Sequence, residues 1–300
     1  MPPSSSIVVI LNAAAGAVAA RPQIDAELRD LFRAAGRDAE IITLRPGQDP
    51  TEAARAASAR AGIVAAGGGD GTVSSVAAGI IDSPAALGVL PLGTLNHFAK
   101  ALQIPLQIPE AVAVIAAGQI GQLDVGKVND RVFINNCSLG VYPDILEERE
   151  ALRRAGHWKW PAMAVATLRV IRRYRGMTVN IDTDGKVRSW RTPFVFVGNN
   201  EYGIDGFRIG ARTRLDEGKV FVYVSPRTRA RDLPALLVQA LAGRASQSGK
   251  FEIIPASEGT IHVGRAGRSR VAIDGEVVTL RMPLSYRSCP GSLRVVLPRP

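Results

Sequence analysis

Two textures divide the chain. Up to about residue 122, short apolar runs alternate with stretches whose apolar residues recur at helical spacing. Ile7 to Leu11 reads as a buried strand, and Ile24, Leu28, Leu31, Phe32 and Ala35 then form one helix face between Pro22 and Gly36. Ile41-Ile42-Thr43-Leu44 is the next strand. Asp49-Pro50-Thr51-Glu52 supplies a cap, a proline at the first helical position and a capping-box acid, so a helix runs from there to about Arg60. Ile63-Val64-Ala65-Ala66 is a strand that ends in Gly67-Gly68-Gly69-Asp70-Gly71-Thr72 and opens a helix carrying Val73, Val76, Ile80 and Ile81. Leu87 to Leu92 is a further strand, and Pro109 and Gly118 bracket one more short helix. This alternation predicts an α/β domain with a doubly wound, mostly parallel sheet.

From Leu123 the pattern changes to β-like runs at 132–134, 178–181, 193–197, 220–224, 251–254, 260–263 and 269–273, with Asp184-Gly185 as a hairpin turn between two of them. The second half is therefore expected to be a mainly antiparallel β domain, interrupted by one helical segment at roughly 143–175. The domains are expected to span 1–122 and 123–289, with the active site in the cleft between them.

Composition narrows the partners. A formal charge of +10 and a pI near 10.2 call for an anionic partner such as a nucleotide, nucleic acid or acidic lipid. No helix-turn-helix, zinc or RNP pattern supports nucleic acid, so no nucleic-acid partner is expected. Cys137 and Cys289 are too few for a disulfide framework and indicate a reduced compartment. No uninterrupted apolar run reaches spanning length, and residues 1–20 lack the basic start of a secretory signal. The expected setting is cytoplasmic, with peripheral membrane contact.

The chemistry gathers at strand ends. Ligands of doubly wound sheets bind beyond the carboxyl ends of the strands. Asn12, the loop Gly68-Gly69-Asp70-Gly71-Thr72, and Gly93-Thr94 with Asn96 all fall there. Glycines let the backbone approach a phosphate and a helix start offers N–H donors, whereas Asp70 would repel a polyphosphate unless a cation such as Mg²⁺ lay between them. A glycine-rich turn without chemical role fits the hexapeptide as well. Asp274-Gly275-Glu276 allows two readings too: an ordinary hairpin turn, or two acids aimed at a reacting hydroxyl.

Taken together in this order and spacing, these motifs resemble the diacylglycerol kinase catalytic-domain family, which includes bacterial lipid kinases and sphingosine kinases. The resemblance runs over nearly the whole chain, through Asn199-Asn200 and Leu215-Asp216-Glu217-Gly218-Lys219. It implies transfer of the ATP γ-phosphate to a lipid hydroxyl with Mg²⁺. The implied fold is an α/β nucleotide domain plus a C-terminal β-sandwich, with a last strand near 290–300 returning to the first domain. Carried over, Asp274 is the general base and Glu276 its neighbour in the charge network. Asp70 serves the Mg²⁺–phosphate site with Asp124 in support. Asn12, Gly68, Gly69, Gly71, Thr72, Gly93, Thr94 and Asn96 line the nucleotide.

Departures from the family pattern are specific. Only Asn12 and Gly16 match at the first loop, His97 stands where many relatives carry an acid, and Arg214 and Glu217 occupy the region of a second-domain metal, which is not expected here. A kinase of a small soluble acceptor and a non-catalytic nucleotide or lipid sensor are the competing readings. Residues 151–176 carry seven Lys/Arg, no acid, and Trp158 and Trp160, so this segment is either a helix with a solvated basic face or a docking surface for an anionic membrane. The lipid acceptor stays unspecified, and monomer and homodimer both stay open.

Overall fold

The computed structural model describes residues 6–13, 18, 21–155, 165, 169–170, 176–201, 217–225, 252–264 and 267–299, the side chains of Arg153 and Arg154 excepted. The chain divides into two compact units, Met1–Asp124 with Gly291–Pro300, and Val125–Pro290. Gly16, most of the basic segment, Arg214 and Asp216 lie outside the described residues.

In the first unit, strands β1 (Ile7–Asn12), β2 (Ala39–Leu44), β3 (Ile63–Gly68) and β4 (Ala86–Pro91) pair in parallel in the order β2-β1-β3-β4. β3 and β4 are buried along their whole length, as strands covered on both faces must be. Their connections are α1 (Ile24–Ala34), α2 (Pro50–Ser58) and α3 (Asp70–Ile80), followed by α4 (His97–Ala101) and α5 (Ile108–Ala117). α1 buries Ile24, Leu28 and Phe32, and Asp49 caps α2 by accepting the Thr51 N–H at 2.8 Å. α2 packs on α3, and α1 on α5. The strand order reverses at the β1/β3 border, which is the switch point where such sheets take ligands.

The second unit is a sandwich. One sheet runs β12-β11-β10-β7-β14-β15, from β7 (Asn136–Gly140), β10 (Phe194–Asn199), β11 (Val220–Val224), β12 (Glu252–Ala256), β14 (Arg268–Ile273) and β15 (Glu276–Arg281). The other joins β8 (Met177–Thr183), β9 (Lys186–Thr192), β13 (Glu258–Val263) and the first part of β16 (Leu284–Val296), all antiparallel. Their inner faces share one core that includes Cys137, Leu139, Val195, Val197, Val271, Val179, Ile181, Ile261 and Tyr286. β5 (Ile120–Val128) and β6 (Arg131–Phe133) form a hairpin, and helix α6 (Val141–Arg154) follows β7. β5 and β16 carry the chain across the unit boundary, and β16 runs parallel to β4 where Val295 pairs with Leu87.

The expected α/β domain followed by an antiparallel β-sandwich is the fold observed. Individual strands differ. The Asp184-Gly185 turn joins β8 to β9, not to the 193–197 run, because Lys186-Val187-Arg188-Ser189-Trp190-Arg191-Thr192 is itself an edge strand whose charges hide its β character. β7 is a second departure: Asn136, Ser138 and Gly140 have low β propensity, yet Cys137 and Leu139 alternate into the core.

Gly79 shows how tightly α3 sits on α2. A Cβ there would lie 2.4 Å from the Thr51 carbonyl oxygen and 2.8 Å from the Ala54 Cβ. Alanine inside a helix normally gains about 1 kcal/mol over glycine; here overpacking wins, and Gly79→Ala is expected to lower the free energy of unfolding by about 1–3 kcal/mol in a urea titration. Unchanged or increased stability would show that the two helices can part at no cost.

Candidate active site

The glycine-lined end of β3 is built by close approach of two loops. A Cβ at Gly93 would fall 2.4 Å from the Gly69 Cα, so the chain after β4 can lie this close to the chain after β3 only with glycine at 93; a Cβ at Gly69 would clear Gly93 at 3.5 Å. Asn96 braces the second loop from within, in the left-handed region at φ 50°. Its Oδ1 accepts the Gly93 N–H at 2.9 Å, and its Nδ2 donates to the carbonyls of Gly93 and Pro91. The Asn96 amide therefore shapes the loop, and Thr94 and Leu95 stand exposed at its tip.

α3 begins at this loop with Gly69 as N-cap and no side-chain cap. Its first helical hydrogen bond runs from Val73 N–H to the Gly69 carbonyl, so the N–H groups of Asp70, Gly71 and Thr72 precede the helical ladder. Thr72 is buried, and its Oγ1 accepts the Asn12 Nδ2 at 3.2 Å across the β1/β3 switch point. Asp70 Oδ1 accepts the Phe98 N–H at 3.1 Å, which fixes the carboxylate against the start of α4; Oδ2 has no hydrogen-bond partner among the described residues. The fold thus brings Asn12, Gly68, Gly69, Asp70, Gly71, Thr72, Gly93 and Asn96 to one end of the parallel sheet. His97 opens α4 and is half-buried, and its ring makes no hydrogen bond among the described residues.

The fit to a divalent cation rests on Asp70. Mg²⁺ commonly takes only one or two protein carboxylates and completes its shell with water and phosphate oxygens, so one anchored carboxylate with an open oxygen suffices. Asp124 is set differently: it is 5% exposed, and its Oδ1 accepts the Gly291 N–H at 2.8 Å, tying β5 to β16. Among the described residues no group of three or more His, Cys, Asp or Glu gathers to hold a metal.

In the second unit Asp274 and Gly275 form the two-residue turn between β14 and β15, with φ of 47° and 91°. Two positive φ values are the signature of a type I′ hairpin, so the ordinary hairpin reading holds as structure. The side chain goes further. Asp274 Oδ1 accepts the N–H groups of Asn135 (2.8 Å) and Asn136 (2.9 Å), and Oδ2 accepts that of Ile134 (2.9 Å). The Asp274 N–H returns a bond to the Asn136 carbonyl. Burial, and then the charge of Asp274, push the Cys137 thiol far above its usual range. Glu276 is exposed and pairs with Ile273. On the strand leading to Asp274, Arg270 forks onto Asp144 (2.8 Å) and Glu147 of α6. Burial raises the Asp144 pKa, an effect Arg270 opposes and Glu147 reinforces. The main-chain donors of 134–136 were invisible to pattern reading, because nothing in Ile134-Asn135-Asn136 names its distant acceptor.

A parallel α/β unit with a switch-point glycine loop is followed in the chain by an antiparallel sandwich, and the comparisons find the same order of domains in known lipid kinases. Residues 6–128 match the diacylglycerol kinase catalytic domain and residues 147–297 the YegS C-terminal NAD kinase beta sandwich-like domain. The diacylglycerol kinase of Staphylococcus aureus is 26% identical over 272 residues, covering 89% of this chain and 85% of the relative. That of Staphylococcus saprophyticus is 25% identical, covering 89% and 88%. Two crystal structures from Bacillus anthracis, one described as a diacylglycerol kinase, superpose with TM-scores of 0.71 and 0.76 at 22% identity over 98% of this chain; at that identity they speak to the fold. The chain belongs to the diacylglycerol kinase family of bacterial lipid kinases.

Asp274 has a structural role whatever its chemistry. Asparagine offers one acceptor oxygen where the carboxylate offers two, which leaves an NH₂ facing the Ile134 N–H. Asp274→Asn is therefore expected to cost about 1–3 kcal/mol of unfolding free energy, read by urea denaturation. A variant as stable as wild type would mean that these bonds do not hold the turn.

Proposed function

We propose that this lipid kinase binds ATP at the glycine-lined end of β3 and transfers its γ-phosphoryl group to a hydroxyl of a diacylglycerol-like lipid. The observation that carries the reading is Asp70 at the start of α3, anchored through one oxygen beside the glycine approach of Gly69 and Gly93. The N–H groups of Gly71 and Thr72 meet phosphate oxygens, and Asn12 holds the Thr72 hydroxyl in register. Mg²⁺, bound with the nucleotide and held by Asp70, neutralises phosphate charge.

Asp274 takes the acceptor side. Phosphoryl transfer asks chiefly for positioning and charge neutralisation, so a rigidly oriented carboxylate is the right device. Its three main-chain donors orient it; it accepts the hydrogen of the lipid hydroxyl and takes the proton as that oxygen bonds to phosphorus. Glu276, two residues on, adds negative charge beside it. The sandwich unit's likeness to NAD kinases keeps a soluble acceptor as the second reading.

The deciding experiment incubates the enzyme with γ-labelled ATP, Mg²⁺ and a panel of diacylglycerol, monoacylglycerol, phosphatidylglycerol, ceramide and sphingoid bases. Label in diacylglycerol is expected; label only in a soluble acceptor would transfer the assignment to the second reading. Asp70→Asn is expected to weaken Mg²⁺-ATP binding and turnover together, because an amide lacks the charge. Asp274→Asn is expected to lower kcat by roughly 10²–10⁴ with ATP affinity within a few-fold, measured where the variant is still folded.

Reaching a lipid calls for contact with the bilayer surface. Among the described residues no helix is long and apolar enough to cross a membrane. We propose instead a peripheral contact through the basic segment 151–176, of which Arg169 is described: it is half-exposed and paired with Glu148 at 2.8 Å. Each basic residue near an anionic surface contributes about 1 kcal/mol. Changing Arg169, Arg172 and Arg173 together to Glu should weaken sedimentation with phosphatidylglycerol vesicles by roughly two orders of magnitude or more. Activity on a detergent-dispersed short-chain substrate should survive. Wild-type co-sedimentation of the triple variant would put the contact elsewhere.

A further inference from the structure

Asn200 is the first residue after β10, and three features set it apart. Its backbone is left-handed at φ 69°, a region that asparagine enters more readily than most residues but that glycine occupies without strain. Its side chain is 0% exposed. Neither Oδ1 nor Nδ2 has a hydrogen-bond partner among the described residues, and Asn200 is the one described side chain with two such buried atoms. Glycine in its place would remove both the backbone cost and the orphaned amide, so nothing in the described fold accounts for an amide here.

Its neighbours point to the use. Asn135 links the residue before Asn200 to the acceptor-side acid: its N–H binds Asp274 at 2.8 Å, and its carbonyl accepts the N–H of Asn199 at 2.9 Å. Asp274 and Asn200 therefore flank the start of β7 at one end of the same sheet, one on the β14 side and one on the β10 side. Two strand spacings put them about 10 Å apart.

We infer that the Asn200 amide is a specificity-determining contact for the lipid acceptor, binding an ester carbonyl or second hydroxyl of the glycerol while Asp274 holds the reacting hydroxyl. This rests on the lipid-acceptor reading of the site. An amide both donates and accepts, which suits the mixed oxygens of an acylglycerol. Its enclosure keeps competing water away, so the bond is worth more than at a wet surface. Because it is fully enclosed, the ligand reaches it only as the surrounding surface parts, and binding is coupled to that local opening.

The test is Asn200→Gly, which the backbone at this position accepts. Wild type and variant are compared in melting temperature, in KM for ATP, and in KM and thermal shift with dioctanoylglycerol. The expected result is a melting temperature that does not fall, a KM for ATP within twofold, and a KM for dioctanoylglycerol raised at least tenfold with a matching loss of its thermal shift. An unchanged lipid KM and thermal shift in an active enzyme would overturn the role of Asn200 alone. A lower melting temperature with lipid KM unchanged would make the amide a structural element and overturn it too. Wild-type enzyme that labels no lipid would overturn the lipid-acceptor reading itself, and with it the ligand assigned to Asn200.

Discussion

The contact on which the glycine-lined end of the first unit depends is one of backbone against backbone. Gly93 lies closer to the Gly69 backbone than a side chain at position 93 allows, and this nearness brings the chain after β4 within reach of the helix that starts after β3. Asp70 can then accept the Phe98 N–H, and Asn96 can close its own loop. A methyl group at Gly93 would push the loops apart and release all of this together. The glycines thus serve packing first, and the open N–H groups at the start of α3 follow from it.

The second unit uses the opposite device, a charge in place of absent atoms. Asp274 gathers the main-chain N–H groups of Ile134, Asn135 and Asn136, which precede or open β7 and would otherwise need partners of their own. A single carboxylate so orders both a hairpin turn and the entry to a neighbouring strand. Arg270, earlier on β14, ties the same strand to α6 through Asp144 and Glu147. The acid proposed to meet the lipid hydroxyl is therefore held from the turn, from β7 and along its own strand. Such rigidity suits a reaction governed by placement.

Much of the first unit was legible in the sequence because its signals are local. Asp49-Pro50 caps a helix, Gly36 and Gly118 end two, and the apolar runs at β3 and β4 are strands buried on both faces. The second unit was legible only in outline. β9 carries three charged residues in seven, since an edge strand needs one face and no second neighbour, and β7 carries three residues of low β propensity that the surrounding sheet overrides. Propensity speaks for a residue's own backbone, whereas these strands owe their form to partners distant in sequence.

The same distinction separates the two candidate acids. Asp70 announced itself because its glycines, its preceding strand and its following helix are contiguous. Asp274 did not, because Asp-Gly is an ordinary hairpin pair, and the structure shows that it is one. Its carboxylate reaches three N–H groups about 140 residues earlier in the chain. Asp184-Gly185 makes the comparison inside one molecule: Asp184 also has positive φ, and its Oδ1 accepts the N–H groups of Ser257 and Glu258. Both aspartates pin a hairpin to a distant strand by the same physics. Anchoring by itself therefore does not mark a reacting acid, and the case for Asp274 rests on the order and spacing in which its motif follows the others along the chain.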